Sequence, residues 1–373
     1  MMKDHTHSEF DLPQVGEEQL ALLERLCNAN AVSGDEGEVR AIVLEELREP
    51  VQEKGGSIKI DAMGNVLVLI PSNQSQAGDP PKVMLAAHMD EIGFMLISNE
   101  EKGFYRFAIV GGIDPRLLAG KSVLVGREHI PGVIGTKPIH LTKPNETSQA
   151  LSLEDLRIDL GEENKKVKAG DRATFATPFT RLGSSLRAKA LDNRLGVATL
   201  IELVKLAPYP IELQAAFTVQ EEVGLRGAQI AAYAFDPHLA VAIDSTPAYD
   251  LPHWDDGEPG WENAVYNTRL GAGPAIYLSD SSTISDPRLV NYFVNTAESV
   301  GIPYQFRQPG GGGTDAGSIH KQRAGIPSLS ISVPGRYHHT PASITRISDW
   351  EHTLALLYAG LVRMPSDIVS THR

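Results

Sequence analysis

The sequence predicts an α/β fold in which a mainly parallel sheet is sandwiched by helices and a small β-barrel-like domain is inserted into it. Three observations carry this expectation. Apolar strand-like runs alternate with helical patterns in both the N-terminal and C-terminal parts of the chain. The block 94–186 breaks that rhythm, with short β-type runs between Gly and Pro and few helical patterns. At 373 residues the chain is long enough for one large domain or two ordinary ones. The expected division is therefore a discontinuous larger domain, 1–93 and 187–373, around an insert at 94–186.

The elements follow in order. Leu20, Leu23 and Leu26 give one helical stripe, and Val39, Ile42, Val43 and Leu47 a second. Ser33-Gly34 between them reads as a turn feeding an N-cap. Ser57–Asp61 and Val66–Ile70 read as a hairpin turned at Gly64-Asn65, and Pro71–Pro81 as a surface loop. Val83–Ala87 is continuously apolar, as a buried strand is, and ends at His88-Met89-Asp90. In the insert, Ala108–Val110, Ser122–Val125, Val133-Ile134 and Arg172–Ala176 are β-type. Beyond Lys189 come a helix at Gly196–Leu206, a strand at Leu213–Val219 before Glu221-Glu222, and a helix at Gly227–Tyr233. A strand at Leu239–Ile243 ends at Asp244; helical Val290–Val300, extended Tyr304–Arg307 and a short helix at Gly317–Arg323 follow. Strand Ser328–Val333 leads to Tyr337-His338-His339, and Trp350–Val362 is the closing helix.

Composition narrows the function. With 34 Lys and Arg against 47 Asp and Glu, the net charge is -13, which phosphate backbones would repel; nucleic acid is not an expected partner. Cys27 is the sole cysteine, so neither an internal disulfide nor a cysteine zinc site is possible, and a cytoplasmic setting is expected. No run of 18 apolar residues offers a membrane span, and the first residues lack the apolar stretch of a secretory signal. His5 and His7, in that acidic end, are read as solvated.

His88, Glu221-Glu222, Asp244 and His339 each follow an apolar strand, where open α/β sheets collect their ligands. Asp192 precedes a helix, where the dipole favours a carboxylate. Each has a plainer reading alone: a structural histidine, a helix start, an N-cap. Together they make a nitrogen–oxygen site for zinc, cobalt or manganese. Three charges from Asp192, Glu222 and Asp244 suit two divalent ions and a bridging hydroxide. Of Glu221 and Glu222, whose side chains diverge, one can ligate while the other acts as a base toward a leaving amine. Chemistry alone does not separate His338 from His339.

Ten segments then place the chain by likeness. They are AAHMDEIGFM (86–95), GGIDPRLLAGKSV (111–123), GVIGTKPIHL (132–141), EDLRIDLG (154–161) and KALDNRLG (189–196), followed by TVQEEVGLRGA (218–228), AIDST (242–246), LGAGPAI (270–276), GGGTDAGSIH (311–320) and RYHHTP (336–341). As a set, and in this order, they resemble the dinuclear-metal aminopeptidases that include the glutamyl and the tetrahedral (TET) aminopeptidases.

The resemblance implies a zinc-aminopeptidase-like fold whose insert is a dimerisation domain. It implies that His88 and Asp244 hold one metal, that Glu222 and His339 hold the other, and that Asp192 bridges them. It gives Glu221 the role of general base and Asp90 that of orienting His88. It also implies peptide substrates and a homo-oligomer, from a dimer to a tetrahedral dodecamer. Asn193 and Ser343 depart from the family pattern, which has Asp and Glu there, and the loop 250–265 is unusually rich in Trp and acid.

Two other readings use the same residues. One is a metal-dependent deacylase or amidohydrolase on small acyl-amino substrates, separated by a requirement for a free α-amine. The other is a non-catalytic, metal-stabilised scaffold, which has no need of Glu221. Glycosidases mostly use two bare carboxylates, which sets a glucanase apart.

Overall fold

The computed structural model describes residues 11–74, 80–142, 151–161, 166–251, 268–307 and 311–369. His5 and His7 lie outside them, as does most of the 250–265 loop.

The Val83–Ala87 run forms the heart of a strand, Lys82–His88, with parallel neighbours on both sides. Glu212–Thr218 pairs with one edge, placing Thr218 opposite His88. Leu239–Pro247 pairs with the other edge and carries Ser328–Arg336, also parallel, beyond it. The flanks are antiparallel: Val66–Ile70 and Ser57–Ile60 on one side, Ser343–Arg346, Ser185–Ala188 and Thr180–Leu182 on the other. The sheet is thus mixed, with a parallel centre. Two further strands, Ala275–Tyr277 and Gln305–Arg307, pair off beside Ser328–Arg336.

Alternation along the strands explains the two covering layers. Val83, Leu85 and Ala87, with Leu213, Phe217, Val241 and Ile243, face the larger core. That core takes in helices Glu17–Asn28, Gly37–Glu53, Leu191–Leu206, Pro287–Val300 and Ile347–Val362. On the opposite face Ala86, Ala216 and Ala240, beside the larger Met84 and Leu67, cluster with Ala228, Ala231 and Ala232 of helix Arg226–Phe235. Small side chains let that helix lie close to the sheet.

The insert is a closed six-stranded barrel in the order Gly93–Asn99, Phe104–Val110, Arg157–Asp159, Ile130–Gly135, Ser122–Val125, Arg172–Phe175. Phe94 sits at its centre, edge-on to Phe107 and Phe175 with both ring centroids 5.2 Å away.

Several local expectations shift. The Ser57–Ile60 hairpin closes through a five-residue loop, 61–65, in which the Asp61 carboxylate accepts the N–H groups of Met63, Gly64 and Asn65. Ser33 caps no helix; Glu36 holds that position, and the Ser33 hydroxyl is spent elsewhere. Asp244 lies inside its strand, because pairing with Ser328–Arg336 continues to Pro247 and Gly335. No described helix is long and apolar enough to cross a membrane.

Candidate metal centre

Parallel pairing brings strand ends to one edge of the sheet, and the candidate residues collect there. His88 closes its strand, Glu221 and Glu222 follow the turn after Thr218, and Asp244 lies on the next strand. Asp192 opens helix Leu191–Leu206 in non-helical backbone, φ -81° and ψ 106°. His339 comes from the turn after Ser328–Arg336. Ala190, Gln220 and His339 all adopt positive φ (53°, 56° and 56°), a conformation costly for side-chain-bearing residues and concentrated here beside the candidate ligands.

The polar atoms converge in two sets. His88 Nε2 lies 3.3 Å from Asp192 Oδ1 and 3.5 Å from Asp244 Oδ1. His339 Nε2 lies 3.4 Å from Glu222 Oε2 and 3.6 Å from Asp192 Oδ2. Asp192 therefore turns one oxygen to each histidine. Ligands about 2.1 Å from a tetrahedral zinc stand roughly 3.4 Å apart, so this spacing suits a divalent ion in each set. Glu221 Oε2 stands farther out, 3.9 Å from His88 Nε2. His338, the other half of the doublet, puts Nδ1 3.6 Å from Asp192 Oδ2. Burial lowers its pKa to about 4.

The supporting contacts fix the rings. His88 Nδ1 faces the Asp90 carbonyl at 3.2 Å and its carboxylate at 3.5 Å. The same carboxylate accepts the Glu221 N–H (3.0 Å), the Glu222 N–H (3.2 Å) and the Ser33 hydroxyl (2.6 Å). One buried acid thus orients a histidine and both glutamates. His339 Nδ1–H donates to the Gly112 carbonyl (2.8 Å), leaving Nε2 for a metal. Gly112 belongs to the insert, and a Cβ there would sit 3.0 Å from the ring. Asn193 is buried, donates to the Ile243 carbonyl (2.8 Å) and accepts the Gly196 N–H (3.0 Å). An aspartate could not donate that first bond. Ser343, also buried, donates to the Tyr337 carbonyl (3.2 Å).

The electrostatics call for cations. Burial pushes the Glu221 carboxyl well above the usual range against the pull of His88, with Asp244, Glu222 and Asp315 repelling it further. Burial takes Glu222 up to about 8 and raises Asp244 as well. Burial opposes ionisation of Asp192 too, but His339 and His88 hold it well below its ordinary value. For His88, burial is outweighed by Glu221, Asp192, Asp244 and Asp90, and its pKa rises. His339 likewise rises to about 9, Asp192 and Glu222 outweighing its burial. Four crowded carboxylates around two histidines favour bound positive charge. The residues present fit two divalent ions.

Sequence reasoning gave Ser33 only a turn before an N-cap, and gave Gly112 and Asp315 no role in the site. Asp315 lies in GGGTDAGSIH, buried, accepting the Thr218 hydroxyl at 2.6 Å. A motif marked it; no spacing revealed its neighbours.

Against this geometry the comparisons are decisive. The profile of the M42 glutamyl aminopeptidase family matches residues 64–356. The chain belongs to that family. It is an enzyme of the aminopeptidase class. It is 31% identical to the glutamyl aminopeptidase of Lactococcus lactis, over 92% of this chain and 96% of that one. An aminopeptidase from the archaeon Desulfurococcus kamchatkensis superposes with a TM-score of 0.85 at 32% identity, covering 95% of this chain and 97% of that one. The TET1 peptidase of Pyrococcus horikoshii, described as able to assemble into a tetrahedron or a large octahedral shell, gives 0.78 at 31% identity, covering 93% and 100%.

Proposed function

We propose that this M42 family member removes N-terminal residues from peptides with a dinuclear metal site. The observation that carries the reading is Asp192, whose two oxygens face His88 and His339 separately at 3.3 and 3.6 Å. His88 and Asp244 would hold one ion and Glu222 and His339 the other, with Asp192 offering an oxygen to each. When bound, two such ions polarise a carbonyl and make a water nucleophilic at neutral pH; zinc, cobalt and manganese all accept these donors.

The chain's own groups do the rest. Glu221 takes a proton from the attacking water at its carboxylate and delivers it to the leaving amine. Asp90 keeps His88 in the tautomer that presents Nε2 and anchors the backbone that aims Glu221. A cavity of about 580 Å³ opens over these residues, large enough for an N-terminal residue and its neighbour.

The test is a panel of free-amine and N-acetylated aminoacyl anilides. Cleavage of free amines only, lost on chelation and restored by zinc, cobalt or manganese, is the expected result. Cleavage of the acetylated set would move the protein to a deacylase.

The inserted barrel is assigned to self-association, by analogy with the shell-forming TET1 peptidase. Light scattering is expected to return at least twice the 40.4 kDa chain mass; a monomer would remove the assignment. The single buried cysteine supports a reducing, cytoplasmic setting.

A further inference from the structure

Deepening the aminopeptidase reading, on which this inference rests, we propose that Glu36 and Asn65 are positioning residues for the general base, holding the backbone that aims the Glu221 carboxylate.

Glu221 lies in the connection between strand Glu212–Thr218 and helix Arg226–Phe235. Beyond the strand end its backbone has no ladder partner, and four successive N–H groups go to side chains from other segments. Val219 donates to Asn65 Oδ1 (2.9 Å) and Gln220 to Glu36 Oε1 (3.3 Å). Glu221 and Glu222 donate to the two oxygens of Asp90 (3.0 and 3.2 Å). Gln220 itself has φ 56°, a costly conformation that persists only where the surroundings over-determine it.

Both residues are fixed in turn. Glu36 is 4% exposed, and the oxygen that meets Gln220 also accepts the Gly34 N–H at 2.6 Å. Ser33 donates its hydroxyl to Asp90, so residues 33–36 join the two carboxylates that grip this connection. Asn65 is buried, and its amide donates to the Asp61 carboxylate (2.6 Å) and the Gly227 carbonyl (3.0 Å). It therefore ties Val219 to Gly227 across the connection. A Cβ at Gly227 would sit 2.3 Å from the Asn65 oxygen, so the clamp requires glycine there.

Neither Glu36 nor Asn65 lines the cavity over the metal centre, whereas Glu221 and Glu222 do. Neither belongs to the groupings that could hold an ion. Their route to the chemistry runs through the backbone of Val219 and Gln220, just before the base. Loosening it moves the proton acceptor and leaves substrate and metal contacts in place.

The test measures kcat, KM and metal content on the free-amine anilide that the wild type cleaves fastest. Glu36→Ala is expected to lower kcat about 30-fold with KM within about twofold, inside the ~10² that a displacement of about 1 Å costs. Two ions per chain should remain. Glu36→Gln keeps an oxygen at the same reach, and an amide oxygen accepts N–H groups as a carboxylate does, so it should recover most of the loss. Asn65→Ala should show the same pattern of low kcat with KM kept. An unchanged kcat in either Ala variant would remove that residue from the clamp.

Non-additivity separates aim from general support. In a Glu221→Gln background no base remains to be aimed, so adding Glu36→Ala should lower the residual kcat by less than about twofold. A further loss as large as in the wild type would overturn the role. Should Glu36→Ala fail to fold, Glu36→Asp decides, since it keeps the charge but withdraws the oxygen by one carbon. Lowered kcat with both ions bound supports the role, and kcat within about twofold of wild type overturns it. These outcomes bear on Glu36 and Asn65 alone. Silence of the wild-type protein toward every anilide would overturn the aminopeptidase reading and this role with it.

Discussion

Glu221→Gln is expected to lower kcat roughly a thousandfold while leaving two metal ions per chain, as general acid–base groups typically contribute ~10²–10⁴. The amide keeps the shape and the backbone N–H donated to Asp90, so the buried frame stays intact. It cannot accept and return a proton. The His88–Asp192 and His88–Asp244 spacings of 3.3 and 3.5 Å do not involve Glu221, whose oxygen stands at 3.9 Å. Metal analysis beside the rate measurement separates two outcomes. A variant holding both ions but inactive supports the base. Loss of one ion would reassign Glu221 as a third ligand with His88 and Asp244, a grouping their proximity permits. Wild-type turnover would remove it from the mechanism.

The second large effect concerns stability. Glu91 is buried and bound on all sides. Its carboxylate accepts from Lys189 Nζ (2.8 and 2.9 Å), Arg194 Nη2 (3.2 Å), the Ala31 N–H (2.9 Å) and the Thr174 hydroxyl (2.8 Å). Lys189 also donates to the Ala29 carbonyl, and Arg194 to the carbonyls of Leu26, Met89 and Asp90. Thr174 belongs to the barrel, so this network ties the insert to the larger domain just behind the metal centre. Glu91→Ala leaves two buried cations with no carboxylate and is expected to cost about 3–5 kcal/mol in chemical denaturation. Adding Lys189→Met should recover part of that loss. A cost within about 1 kcal/mol would mean the network is solvated in practice.

The same group gives a pH dependence. Burial works against ionised Glu91, but Lys189 and Arg194 outweigh it and hold its pKa below the ordinary value. A depressed folded pKa means stability that is present above the unfolded value, about 4.3, and is lost as pH falls through the folded one. Wild type should lose this increment on acidification below about pH 4, and Glu91→Ala should not.

How much of this was legible beforehand follows from the range of each interaction. Val83–Ala87, Leu213–Val219, Leu239–Ile243 and Ser328–Val333 are apolar runs, and apolar runs between helical patterns announce a parallel core. Because parallel strands end at one edge, His88, the Glu221–Glu222 pair and Asp244 were readable as neighbours before any coordinate was known. The short flanking strands Ser343–Arg346 and Thr180–Leu182 were not, since three or four residues carry little pattern.

The residue types available to the site, the chain order of its segments and the presence of an insert were determined by the sequence by itself. Tertiary structure alone decided that Ser33 reaches Asp90 across 57 positions, that Gly112 of the barrel orients His339 across 227, and that Glu36 meets Gln220 across 184. It also decided that Asp192 turns one oxygen to each histidine. Helical and strand periods extend over a few residues, so they reveal which face is buried. Contacts between distant segments depend on how strands register and where turns cross, and the sum of packing over the whole core sets that.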